Sequence, residues 1–114
     1  MTRYLISFDD GAITFPEEDL PDVAKAAHEV VQEATDAGVW GIGGGLKSQQ
    51  ASVVATDGTV TDGPYPENRE HLGGFAVVDV PSCEAALEWA AKIAAACRCA
   101  QQVFELLPDD AHSD

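Results

Sequence analysis

Seven residues, Gly74-Phe75-Ala76-Val77-Val78-Asp79-Val80, form the strongest strand signal in the chain. A strand so nearly continuous in apolar character needs cover on both faces, which puts it at the centre of a sheet. The other elements must be arranged around it. Near the start, Tyr4, Ile6 and Phe8 alternate with Leu5, Ser7 and Asp9, the period of a strand with one buried face.

Between these two strands, Pro21 suits a first helical turn. Leu20, Val23, Ala24, Ala27, Val30, Val31 and Ala34 then recur at three- and four-residue steps up to Gly38, which predicts an amphipathic helix with a glycine stop. Val39-Trp40-Gly41-Ile42 reads as a strand running into Gly43-Gly44-Gly45, and the glycines of the Gly41 to Gly45 run let a strand bend or a ligand come close to the backbone. Ser52 to Thr56 and Thr59 to Thr61 flank Asp57-Gly58, a pair that predicts a hairpin with a type I′ turn. After the central strand, Ser82 can cap a second helix carrying Cys83, Ala86, Leu87, Ala90, Ile93, Ala94 and Cys97 on one stripe. Because that stripe is mostly alanine, the helix can approach its sheet closely. Gln101 to Leu107 closes as a strand.

Strand, helix, strand, hairpin, strand, helix, strand is an α+β order: the ferredoxin-like βαββαβ arrangement with an inserted β-hairpin. Both helices should cover one face of the sheet. The opposite face then needs a cover of its own, and pairing of two sheets in a homodimer is the natural solution. Residues 1–108 are expected to form a single domain, with 109–114 as an acidic tail.

The chain has 114 residues with 20 acidic and 6 basic side chains, a formal net charge of −14. Binding nucleic acid requires clustered Lys and Arg, and here they are few and scattered, so DNA, RNA and anionic membranes are poor partners. No apolar run reaches the roughly 18 residues that span a bilayer, and no basic region followed by an apolar one opens the chain, so the expected location is cytoplasmic. Cys97-Arg98-Cys99 is too short to close an unstrained disulfide, which predicts reduced thiols.

Polar chemistry concentrates in residues 61–75, Thr-Asp-Gly-Pro-Tyr-Pro-Glu-Asn-Arg-Glu-His-Leu-Gly-Gly-Phe. Asp62-Gly63-Pro64 has turn chemistry: Asp bonds its own downstream backbone, Gly permits positive φ, and Pro fixes φ. Asp62, Glu67, Glu70 and His71 supply the density of titratable groups that acid-base work or capture of a polar ligand requires. A capped turn with solvated carboxylates is the alternative reading. Nearby carboxylates would favour the charged form of His71. His28 lies on the first helix about 100° from the centre of its apolar stripe, at the border of the buried face. Asp36, eight residues on and about 12 Å along the axis, is too far to bond it directly.

Cys97 and Cys99 have no second ligand pair at zinc-binding spacing, so no metal site is predicted, and no organic cofactor is demanded. Gly41 to Gly45 lacks the Gly-Lys-Ser ending of a phosphate loop.

Asp62-Gly63-Pro64-Tyr65, then Glu67, Arg69-Glu70 and Gly73-Gly74-Phe75, resembles the YCII-related family, in particular its DGPF branch. The likeness extends to the first strand, Gly44-Gly45-Leu46, the Asp-Gly hairpin and the helix around Ala85 to Ala90, covering roughly residues 3 to 107. Departures are Tyr65 for Phe, Arg69 for Lys, and His71 where other members often carry Gln. The resemblance implies a dimeric α/β barrel in which two ferredoxin-like sheets face each other. It also implies an enzymatic role without a settled substrate, founded on a His and an Asp in the YCII branch, and in some members a link to alternative sigma factors.

Two functions therefore stand side by side. In one, a small polar metabolite binds at the loop through Gly63, Tyr65, Glu67, Glu70 and Gly73, with Asp62, His71 and His28 as acid-base residues. In the other, the same loop serves a non-catalytic ligand-binding or regulatory dimer.

Overall fold

A computed structural model of the chain describes residues 1–9, 14–46, 51–63 and 72–108. Its elements run β1 (Thr2–Asp9), a 3₁₀ turn (Glu17–Asp19), α1 (Leu20–Asp36), β2 (Trp40–Gly45), β3 (Ala51–Val54), β4 (Val60–Gly63), β5 (Leu72–Val80), α2 (Cys83–Cys97) and β6 (Gln102–Glu105). Four strands form one antiparallel sheet in the order β2-β5-β1-β6, while β3 and β4 pair as a separate hairpin. This is the α+β, ferredoxin-like arrangement with an inserted hairpin that the element order predicted. β5 is central, as its apolar run required. The sheet does not close on itself, so no barrel forms within one chain.

The register decides which residues look inward. Tyr4 stands opposite Val78 and Ile6 opposite Ala76, and these residues with Val80 pack against Ala86 and Ala90 of α2. Ile6, Val78 and Val80 are under 2% exposed; full burial of such side chains contributes about 1.5 to 3 kcal/mol each. Ala86 is wholly buried, so the alanine stripe does bring α2 close to the sheet. Ser82 caps α2 as expected, its Oγ accepting from the Ala85 N–H at 3.1 Å. α2 ends at Arg98, which has φ +58°, and Arg98 reaches back to Asp19 at 2.9 Å. With the Lys92–Glu33 ion pair, this fastens α2 to the start and the last turn of α1.

One local expectation is corrected. The β3–β4 turn is not type I′, because Asp57 does not take a positive φ; only Gly58 does, at +91°. The Gly58 N–H bonds the Ala55 carbonyl at 2.9 Å and the Asp57 carboxylate accepts from the Thr59 N–H at 2.9 Å, giving a longer loop in which the aspartate side chain replaces a left-handed residue. Asp62 and Gly63 are the last residues of β4, with Asp62 opposite Ser52, and the rest of the turn expected at Asp62-Gly63-Pro64 lies outside the described residues. The bend expected of the Gly41 to Gly45 run falls at Gly41, where β2 shifts register against β5 between Trp40 and Ile42, and Gly43 to Gly45 then pair with Ala76, Phe75 and Gly74. What comes close to Gly43 is the chain itself: an added Cβ would meet the Phe75 carbonyl oxygen at 2.5 Å and the Trp40 ring at 2.9 Å.

Candidate functional site

Of the residues the sequence nominates, His71, Tyr65, Glu67 and Glu70 lie outside the described residues. Asp62 is exposed at the end of β4. His28 is exposed on α1, further from the core than a border position suggested. Asp36 is occupied within α1, accepting from Gln32 Nε2 at 3.0 Å, in keeping with the rejection of a His28–Asp36 pair. Gly73 is buried in β5, and its carbonyl accepts from the Leu46 N–H at 2.9 Å. That bond joins the exit of β2 to the point where the motif segment re-enters the sheet.

Beside this junction lies a cavity of about 350 Å³ between α1, α2 and the sheet. It exists because both walls use small residues. α1 packs against α2 and β2, and presents Ala24 and Ala27 to the cavity. Across from them, the sheet contributes Gly44, Gly45 and Ala76. Neither side fills the gap that a helix of leucines would close. The rest of the lining includes Phe8, Phe15, Trp40 and Ile93, with Cys97 and Gln101 at the α2 end.

Burial pushes the Cys97 thiol above its ordinary pKa, and the neighbouring Cys99 adds to the effect. Burial raises Cys99 too, partly offset by the Gln101 side chain, whose Nε2 donates to the Cys99 carbonyl at 3.3 Å and lies 3.5 Å from its sulfur. Neither is the activated thiolate of a nucleophile. All three cysteines are free, as their spacing predicted for Cys97 and Cys99. Among the described residues, no group of three His, Cys, Asp or Glu side chains is placed to hold a metal. No helix among them is long and apolar enough to cross a membrane.

The opposite face of the sheet carries a second feature. Phe104, Leu5, Val77 and Ile42 stand in register, one from each of the four strands, as a single apolar row. Ile42 is 63% and Phe104 50% exposed. At the end of the same face of β5, Asp79 Oδ1 is buried with no hydrogen-bond partner among the described residues.

Sequence reasoning found the motif and the open face but not the cavity. Its signal was present in Ala24 and Ala27 in the stripe of α1 and in Gly44 and Gly45 at the end of β2, which line the same cavity. Only the fold brings these residues, distant in the chain, together.

No curated protein matches the sequence. Residues 17–106 match the YCII-related domain, from the 3₁₀ turn through β6, which takes in both helices and every strand but β1. The chain belongs to the YCII-related family.

Proposed function

We propose that this YCII-related protein, of the DGPF branch, is a homodimer that binds a small metabolite at the junction of the cavity and the Asp62 to Gly73 motif. The observation that carries this reading is the adjacency of the two: Gly44, Gly45 and Phe75 line the cavity, and the motif segment rejoins the sheet one strand position away, at Leu72 and Gly73. Polar groups of the ligand would meet the motif through Gly63, Tyr65, Glu67, Glu70 and Gly73. In a catalytic protein, Asp62 would orient or accept a proton, with His71 or His28 as its acid-base partner.

The apolar row across the open sheet face supports the dimer, since exposed large side chains in register gain from mutual burial. A facing subunit would also offer a donor to Asp79, whose unpartnered oxygen is costly in isolation.

The test is a thermal-shift screen of small polar metabolites against the wild type and Asp62→Asn, with an NMR pH titration of the histidines and His112 as the control. Shifts seen in the wild type and lost in Asp62→Asn, together with a His71 or His28 titration that moves in the variant, support the catalytic form. Ligand shifts with three indifferent histidines favour the non-catalytic binding or regulatory form. Absence of any shift removes the polar-metabolite form of this reading.

A further inference from the structure

We infer that the cavity between α1 and the sheet takes a neutral, apolar body the size of two aromatic rings, so that the ligand is an aromatic amphiphile and not a uniformly polar metabolite. This rests on the reading of the cavity as a ligand site and names the chemistry of the part that enters it. A cavity of about 350 Å³ is within the usual range for small-molecule pockets and roughly twice the 150 Å³ that holds a single benzene ring.

Among the described residues, none of its lining side chains is charged, so a carboxylate or ammonium driven in among them would lose its hydration without an ion partner. The rings of Phe8, Phe15 and Trp40 offer flat apolar surfaces that favour stacked or edge-to-face contact with another ring. Gln101 is the single amide side chain in the lining, and its nitrogen is already held by Cys99. Ala24 and Ala27 keep the space open from the helix side.

The chain contains two tryptophans, so Trp89→Phe leaves Trp40, in the cavity wall, as the one emitter. Titration of this full-length variant with the neutral naphthalene dye prodan should give saturable quenching of Trp40 with sensitised dye emission, one dye per subunit. The melting temperature should rise with dye concentration, as for a ligand of the native state. Ala27→Phe and the milder Ala27→Leu, which fill the cavity, should each weaken binding tenfold or more at unchanged circular dichroism. In the unsubstituted chain, the dye should slow maleimide labelling of Cys97 and leave exposed Cys83 unaffected.

Absence of energy transfer, or dye binding that neither protects Cys97 nor responds to a folded Ala27 variant, overturns the inference; in the latter case the dye sits on the open sheet face. If polar metabolites bind in an Asp62-dependent way while prodan does not, the inference fails and the proposed function stands. If neither binds, both fail.

Discussion

The ring of Phe8 lies over Gly74, its register partner on the neighbouring strand: a Cβ added to Gly74 would sit 2.6 Å from Phe8 Cε1 and 2.7 Å from Cζ. Phe8 also lines the cavity, so the same contact closes the sheet surface and shapes the pocket wall.

The glycines of this region should therefore rank by what a methyl group would strike. Gly43→Ala should destabilise most, by about 2 to 3 kcal/mol, because the obstruction is the Phe75 carbonyl in the β5 backbone. Gly74→Ala should cost less, about 1 to 2 kcal/mol, since the Phe8 ring can swing into the cavity. Gly45→Ala, with its nearest atom at 3.9 Å, should be neutral within about 0.5 kcal/mol. Chemical denaturation of the three variants gives the order directly, and a reversed order would contradict the packing.

Ser82 is the sole side-chain cap seen on α2's first turn, and its acceptor bond satisfies the Ala85 N–H. Ser82→Ala should lower stability by about 1 kcal/mol, while Ser82→Asp should retain most of it by accepting the same bond. Thermal melts of the pair provide the check.

On the open sheet face, Ile42→Glu and Phe104→Glu replace exposed side chains, so each should leave subunit stability nearly unchanged. If two sheets face each other in the dimer, both variants should elute as monomers by size exclusion with light scattering. A wild type that is itself monomeric at high concentration would remove the dimer proposal.

Tyr4 should titrate above the ordinary tyrosine range, first because burial penalises the phenolate and then because the Glu105 carboxylate, 3.5 Å from its hydroxyl, opposes a second negative charge. The unfolded chain then gives up the Tyr4 proton first, near pH 10, while the folded chain still holds it. Stability from this residue is fully present below about pH 10 and declines as pH rises toward the folded value. Glu105→Gln should move the Tyr4 titration downward and reduce that alkaline loss. Near-ultraviolet titration in a Tyr65→Phe background, which leaves one of the two tyrosines, measures it.

Among the thiols, Cys83 is exposed, whereas burial raises the pKa of Cys97 and of Cys99. A maleimide at neutral pH should modify Cys83 first and Cys97 last, as followed by mass spectrometry; rapid labelling of Cys97 would mean that its end of the cavity is open.

Much of this protein was determined by the sequence alone. Alternation at Tyr4, Ile6 and Phe8 set the buried face of β1, the apolar run from Gly74 to Val80 set a central strand, and the alanine stripe after Ser82 set a closely packed α2, because side-chain period and size are local properties. The motif at Asp62 to Gly73 was legible for the same reason, as a local density of polar and turn-forming residues. Register and packing were decided only in three dimensions. The extension of β4 through Asp62 depends on its pairing with Ser52, the apolar row of Phe104, Leu5, Val77 and Ile42 on alignment of four strands, and the cavity on the meeting of Ala24 and Ala27 of α1 with Gly44, Gly45 and Ala76 of the sheet in one lining. These are relations between residues distant in the chain, and a void is what neighbouring side chains fail to fill, which no single segment encodes.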